Sequence, residues 1–217
     1  MIPCRALLFD MDGLMVDSEP LWFEVEREFA RARGGDWTEA LGTACIGMGM
    51  ANTLRVMHES FGVPVDVERD ASVIVELFVA RVGELTLKTG FDELLAEALS
   101  KGVPRALASS SARRLVEATL ARFGVRERFD AVVTGDCVAH PKPAPDIFLE
   151  AARRLRVPPE ACVVLEDSLA GVRAARAAGM RVIAVPEGVA SAEMTSLAEA
   201  VVSDLHAARA ILSLERG

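Results

Sequence analysis

The tightest constraint on the fold is an alternation of two periodicities. Short apolar runs, too brief for helices, occur at Ala6-Leu-Leu-Phe-Asp10, Pro104-Arg-Ala-Leu-Ala-Ser109, Phe129-Asp-Ala-Val-Val-Thr134, Ala161-Cys-Val-Val-Leu-Glu-Asp167, Met180-Arg-Val-Ile-Ala-Val185 and, more weakly, Ala200-Val-Val-Ser203. Between them, residues 91–101, 112–123, 145–156 and 169–178 carry apolar side chains at helical spacing. Gly102, Gly124 and Gly179 follow three of these segments, where a left-handed C-terminal cap is expected. Strand and helix in alternation imply right-handed crossovers and a parallel sheet covered on both faces, an α/β, Rossmann-like core. Ligands of such sheets bind beyond the carboxyl ends of the strands.

One interval breaks the pattern. From about residue 20 to 82 no convincing strand is present, and helical patterns recur over 21–33, 50–61 and 67–82, interrupted by Gly34-Gly35, Gly47-Met-Gly49 and Gly62. The expected organisation is a core of residues 1–16 and 84–217 with an inserted α-helical cap of residues 17–83. Both ends of the insertion then pass close to the site, and residues 14–19 and 83–90 are the expected hinges of cap closure.

The chain of 217 residues carries 24 basic and 32 acidic side chains, a formal net charge of −8. That balance argues against a nucleic-acid or anionic-membrane partner, since phosphate backbones are held by clustered Lys and Arg. Cys4, Cys45, Cys137 and Cys162 are scattered without zinc spacing and read as small buried apolar residues of a reducing compartment. With no signal-like or membrane-spanning run, the expected setting is the cytoplasm; the chain is expected to be a monomer.

The chemistry gathers at the ends of the predicted strands. Asp10-Met-Asp12-Gly13 sets two carboxylates two residues apart, on one side of an extended chain, before a glycine that permits a sharp turn. Glu166-Asp167 ends another strand; if the two strands are neighbours, up to four carboxyl groups converge. Such a cluster calls for a hard divalent cation, and Mg²⁺ suits carboxylate oxygens. Ser109-Ser110-Ser111 leads into a helix, where free N–H groups and a hydroxyl make an anion site. Lys142 sits between two prolines that stiffen its loop, a positioned charge suited to phosphate.

These motifs, in this order, resemble the haloacid dehalogenase-like superfamily, specifically its helical-cap subfamily of β-phosphoglucomutase-like phosphatases. Phe9-Asp-Met-Asp-Gly-Leu-Met-Val-Asp-Ser-Glu19, Ala108-Ser-Ser-Ser111, Pro141-Lys-Pro-Ala-Pro-Asp-Ile-Phe148 and Leu165-Glu-Asp-Ser-Leu-Ala-Gly171 match its four motifs. The resemblance implies that Asp10 is a nucleophile forming an aspartyl-phosphate and that Asp12 is the general acid and base. It further implies that Mg²⁺ is held by Asp10, the Asp12 carbonyl and Asp167, with Glu166 an additional candidate, and that Ser109, Ser110, Ser111 and Lys142 bind phosphate. Asp12 speaks against a dehalogenase, which lacks that second carboxylate. A mutase of this subfamily carries a His where Trp22 stands and an Arg within the cap stretch that here reads Gly47–Met50. A Mg²⁺-dependent phosphatase of a small phosphorylated metabolite, such as a sugar phosphate, therefore ranks ahead of a phosphomutase. A non-catalytic binder of phosphorylated metabolites ranks last, having no use for Asp12. Trp22 and Glu19 are the candidates for substrate contact from the cap side.

Overall fold

The computed structural model of the chain describes residues 1–45 and 49–215. Its centre is a six-stranded, wholly parallel sheet built from β2 (Ala6–Phe9), β3 (Arg105–Ala108), β4 (Ala131–Val133), β5 (Cys162–Glu166), β6 (Arg181–Ala184) and β7 (Ala200–Val201), in the spatial order β4-β3-β2-β5-β6-β7. The order reverses on either side of β2, so its carboxyl end faces the crevice where such sheets bind ligands. Register puts Phe9 opposite Leu107 on one side and Leu165 on the other. The residues that follow, Asp10, Ala108-Ser109 and Glu166-Asp167, therefore emerge together.

Alternate residues of each strand face opposite layers. Leu7, Phe9, Leu107, Val132, Val163, Leu165 and Ile183 point into the layer that contains α5 (Phe91–Ser100), α6 (Arg113–Phe123) and α10 (Leu205–Ile211). Phe9 packs edge-on between Phe91 and Phe129, with both ring centroids 5.8 Å away. Ala6, Leu8, Ala106, Ala108, Val164, Val182 and Ala184 face α7 (Asp146–Leu155), α8 (Leu169–Ala177) and α9 (Ala192–Leu197). Alanines dominate this second face and let its helices lie close. Gly102, Gly124 and Gly179 all adopt positive φ, as helix ends of this kind require.

Among the described residues, four α-helices occupy the interval between the first strand of the sheet and α5: α1 (Glu19–Arg31), α2 (Glu39–Cys45), α3 (Met50–Phe61) and α4 (Val67–Ala80). Their core of Val25, Phe29, Trp37, Leu54, Ile74 and Phe78 belongs to one cluster with that of the sheet layer, which also takes in Leu14, Met15 and Val16. The two chain segments that join them to the sheet run side by side. Val16 bridges Leu87 in antiparallel sense, Asp17 N–H donates to the Thr86 carbonyl at 3.0 Å, and Lys88 N–H donates to that of Met15 at 2.9 Å.

Five strands and α-helices have no counterpart in the sequence reading. β1 (Ile2–Cys4) pairs in parallel with β8 (Leu212–Leu214), and α2 and α9 are too short for a clear helical period. α10 is only seven residues long and is recognisable mainly by its cap, where Asp204 accepts from the Ala207 amide. Among the described residues, no helix is long and apolar enough to cross a membrane.

Candidate active site

Asp10 follows β2 directly and keeps sheet-like pairing, its N–H donating to the Leu165 carbonyl at 3.1 Å. Its side chain is buried. Lys142, more than 130 residues away, inserts its ammonium beside it: Nζ donates to Asp10 Oδ1 at 2.5 Å, to Glu166 Oε1 at 2.6 Å and to the Ala108 carbonyl at 3.3 Å, and lies 4.9 Å from the Phe148 ring centroid. Glu166 is fully enclosed, and its other oxygen accepts from the Ser168 N–H at 2.8 Å and the Ser168 hydroxyl at 2.9 Å. The same hydroxyl accepts the Gly171 N–H and caps α8. A Cβ at Gly171 would sit 1.6 Å from Glu166 Oε1, so the fourth motif ends in glycine because the carboxylate occupies that space.

Asp12 faces a different set of partners. Its Oδ2 accepts from the Ser111 hydroxyl at 2.7 Å and lies 3.5 Å from that of Ser109, while Oδ1 accepts from the Trp22 indole N–H at 3.2 Å. Ser109 is buried and its Oγ also accepts the Ser111 N–H at 3.1 Å; Ser110 points outward to solvent. Gly135, after β4, presses on this loop so closely that a Cβ would lie 2.3 Å from the Ser110 carbonyl oxygen. Gly13 has φ +76°, and a Cβ there would meet Asp167 Oδ2 at 2.1 Å. Two glycines thus let two acidic side chains approach backbone that any other residue would block.

The donor set fits a hard cation. Asp10, Glu166 and Asp167 offer carboxylate oxygens within 4.8 Å of one another, and Lys142 pairs directly with two of them, Asp10 and Glu166. Burial pushes the Asp10 carboxyl up to about 8; Lys142 pulls it down, and Glu166 and Asp12 raise it further. Burial, Glu166 and Asp10 likewise hold Asp167 well above the ordinary carboxylate range. Burial works against the Lys142 ammonium, but Asp10 and Glu166 outweigh it and keep it protonated. Negative charge is therefore in excess, and a divalent cation is the natural complement of acids that otherwise take up protons. Both Glu166 oxygens already have partners, and the Asp12 carboxyl is engaged elsewhere, which leaves Asp10 and Asp167 as the freer side-chain donors.

The remaining sequence candidates divide. Glu19 is half-buried at the start of α1, its carboxyl pushed up to about 7 by burial and by Asp12, Glu187 and Asp17. Trp22 does pack, its ring 4.3 Å from that of Phe78, but its N–H reaches Asp12, a contact that sequence spacing does not reveal. Gly47 and Met48 lie outside the described residues. His140, beside Lys142 in the chain, is exposed and pairs with Asp146 at 2.8 Å. Cys4, Cys45 and Cys162 are buried as expected; Cys137 is only half-buried, its thiol pulled below the ordinary value by Thr134 and Arg154 against the effect of burial. Beside Gly13, a cleft of about 420 Å³ opens between the β6 and β7 loops and the 86–89 segment, lined by Asp17, Lys88, Glu187, Ser203 and Asp204 among others. It is of the size that holds a small metabolite.

Comparison with known proteins gives a consistent picture. The family described as "Hydrolase: haloacid dehalogenase-like hydrolase" matches residues 4–179. The chain is 32% identical over 201 residues to a bifunctional riboflavin kinase/FMN phosphatase of Arabidopsis thaliana, covering 92% of this chain but only about half, 53%, of that longer protein. It is 36% identical over 177 residues to a phosphorylated carbohydrates phosphatase of Thermotoga maritima, covering 81% of this chain and 82% of the relative. The crystal structure of CbbY from Rhodobacter sphaeroides in complex with phosphate superposes with a TM-score of 0.85 at 33% identity, over 94% of this chain and 95% of that one.

Proposed function

The chain belongs to the haloacid dehalogenase-like hydrolases and is a phosphatase among them, and from that premise we propose that it hydrolyses a small phosphorylated metabolite of the sugar-phosphate class through an aspartyl-phosphate on Asp10. The observation that carries this reading is the pairing of a buried Asp10 with Lys142 at the carboxyl end of β2, with Asp12 two residues on and turned toward the serine loop. The sugar-phosphate class is supported by the phosphorylated carbohydrates phosphatase relative, and binding of a phosphoryl group by the phosphate complex of CbbY.

In this proposal an Asp10 oxygen attacks phosphorus while Lys142, the Ser109 hydroxyl and the Ser110 amide receive the phosphoryl oxygens. Asp12 gives its proton to the departing oxygen, then takes one from the water that cleaves the acyl phosphate. Asp10, Asp167 and the Asp12 carbonyl would hold Mg²⁺, which when bound supplies positive charge for the phosphoryl group and keeps Asp10 ionised. Glu166 keeps Lys142 in place and anchors α8, a positioning role. The helices of residues 17–83 act as a cap that excludes water while the leaving group departs, with the paired 14–19 and 83–90 segments as hinges. The four free cysteines suit a reducing, cytoplasmic setting.

The test is Asp10→Asn, assayed for release of inorganic phosphate from p-nitrophenyl phosphate with Mg²⁺ present. A loss on the order of 10⁴-fold or more is expected for removal of a covalent nucleophile. Retained hydrolysis would refute the covalent assignment.

A further inference from the structure

Asp12 is gripped from two parts of the molecule that approach one another only in the fold. From the sheet side, Ser111 Oγ lies 2.7 Å and Ser109 Oγ 3.5 Å from Oδ2. From the helical side, Trp22 of α1 donates its indole N–H to Oδ1 at 3.2 Å. The indole is itself braced, its ring centroid 4.3 Å from that of Phe78, a fully buried residue of α4. An indole N–H only donates, so the oxygen opposite it must keep its lone pair free to accept. Hydroxyls donate or accept, so the serine-facing oxygen is the one at which a proton can come and go.

We propose that Trp22 is a positioning residue for the acid–base step: its N–H fixes the rotation of the Asp12 carboxyl, so that Oδ2, and not Oδ1, exchanges the proton. The inference rests on the reading of Asp12 given above. In the first half-reaction, an Asp10 oxygen forms a bond to phosphorus, the bond from phosphorus to the ester oxygen breaks, and the Oδ2 proton passes to that oxygen, which leaves as an alcohol. In the second, water forms the new P–O bond, the Asp10 acyl-phosphate bond breaks, and the water proton returns to Oδ2. No group outside the substrate, water and these two carboxyls is needed to balance either step.

A leaving group that departs without protonation separates this role from a merely structural one. With Mg²⁺ present, kcat/KM is measured for benzyl phosphate, whose alkoxide is a poor leaving group, and for p-nitrophenyl phosphate, whose phenolate is a good one. Trp22→Phe keeps an aromatic ring against Phe78 and deletes the N–H. The expected result is a fall of about 10²-fold for benzyl phosphate against less than about 5-fold for p-nitrophenyl phosphate, because general-acid assistance is worth about 10²–10⁴-fold only where the leaving group needs it. Equal losses on both substrates, or no loss on either, would overturn the assignment. If the Phe variant does not fold, Trp22→3-benzothienylalanine, incorporated at that site alone, replaces the N–H with sulfur in a ring of the same shape, and the same two outcomes decide. Failure of the wild-type protein to hydrolyse either ester would instead sink the phosphatase reading, so the two ideas fail separately.

Discussion

Two enclosed acids, one in the helical segment and one at the end of the sheet, have been given opposite electrostatics. Asp70 of α4 is fully buried, yet its carboxylate accepts from Arg33 at 3.0 Å, from Arg69 Nε at 3.0 Å and from the Asp66 N–H at 3.0 Å. Burial raises its pKa, but these partners outweigh it and leave the group below the ordinary carboxylate range. Asp10 is buried to a similar degree, shares one lysine with Glu166 and has Asp12 and Asp167 nearby; its carboxyl is pushed up to about 8. A structural acid is satisfied in excess by its own chain. The acids at the sheet edge are left short of positive charge, which is the condition of a place prepared for a cation and a phosphoryl group.

Removing the single lysine tests that contrast most severely. Lys142→Met would leave Asp10 and Glu166 facing one another with no counter-charge and take a donor from the transferring phosphoryl group. Steady-state assays should show kcat/KM reduced by about 10²–10³-fold, equivalent to about 2.7–4 kcal/mol; activity within a few-fold of wild type would mean that the lysine does not serve the reaction. Asp70→Asn probes the other side. It removes charged hydrogen bonds that touch no part of the site, so chemical denaturation should register a loss of about 1–3 kcal/mol while kcat stays unchanged. A matching drop in kcat would show that the two regions are not separable.

The smallest expected effect concerns pH. In the presence of a chelator, Asp10 at about 8 and Glu26 at about 7, the latter raised by burial against the hydrogen bond from Trp37, hold protons in the folded protein that the unfolded chain has already released. Carboxyls of the unfolded chain titrate near pH 4, so stability should fall as pH rises from about 4 toward 8. Each 1 kcal/mol of that fall corresponds to about 2–4 °C in Tm for a chain of this size. Mg²⁺ should narrow that fall at pH 8 by taking the place of the proton. Asp70, with its lowered pKa, acts in the opposite sense: its stabilisation is present above the unfolded value and disappears as pH drops through the folded one. A Tm in chelator that does not vary between pH 5 and 8 would contradict the excess of negative charge proposed for the site.

Much of this was legible in the chain itself. The strands that run into Asp10, Ser109 and Asp167 are short apolar runs that could be little else, and the ends of α3 match the sequence periodicity at 50–61. Other features were hidden because their signal is not local. β1 and β8 are three residues each and exist only because the two ends of the described chain meet; α2 is seven residues with one buried side chain. Lys142 could be read as a stiffly held charge, but its bond to Asp10 spans 132 positions. Trp22 was a candidate for substrate contact, and its place opposite Asp12 depends on how α1 docks against the first turn after β2.

Periodicity, capping residues and the order of four motifs are short-range properties, and through them the amino-acid sequence alone determined a parallel α/β core with a run of helices after the first strand of the sheet, and singled out the carboxylates at the strand ends. What only the tertiary structure decided is which charges meet. The register of β2 between β3 and β5 brings Asp10, Glu166 and Asp167 together, the absence of a Cβ at Gly13 and Gly171 makes the room they need, and Lys142 enters from the far side. Electrostatic energies depend on separations of a few ångströms in a medium of low dielectric. Such separations are set by packing between segments far apart in the chain.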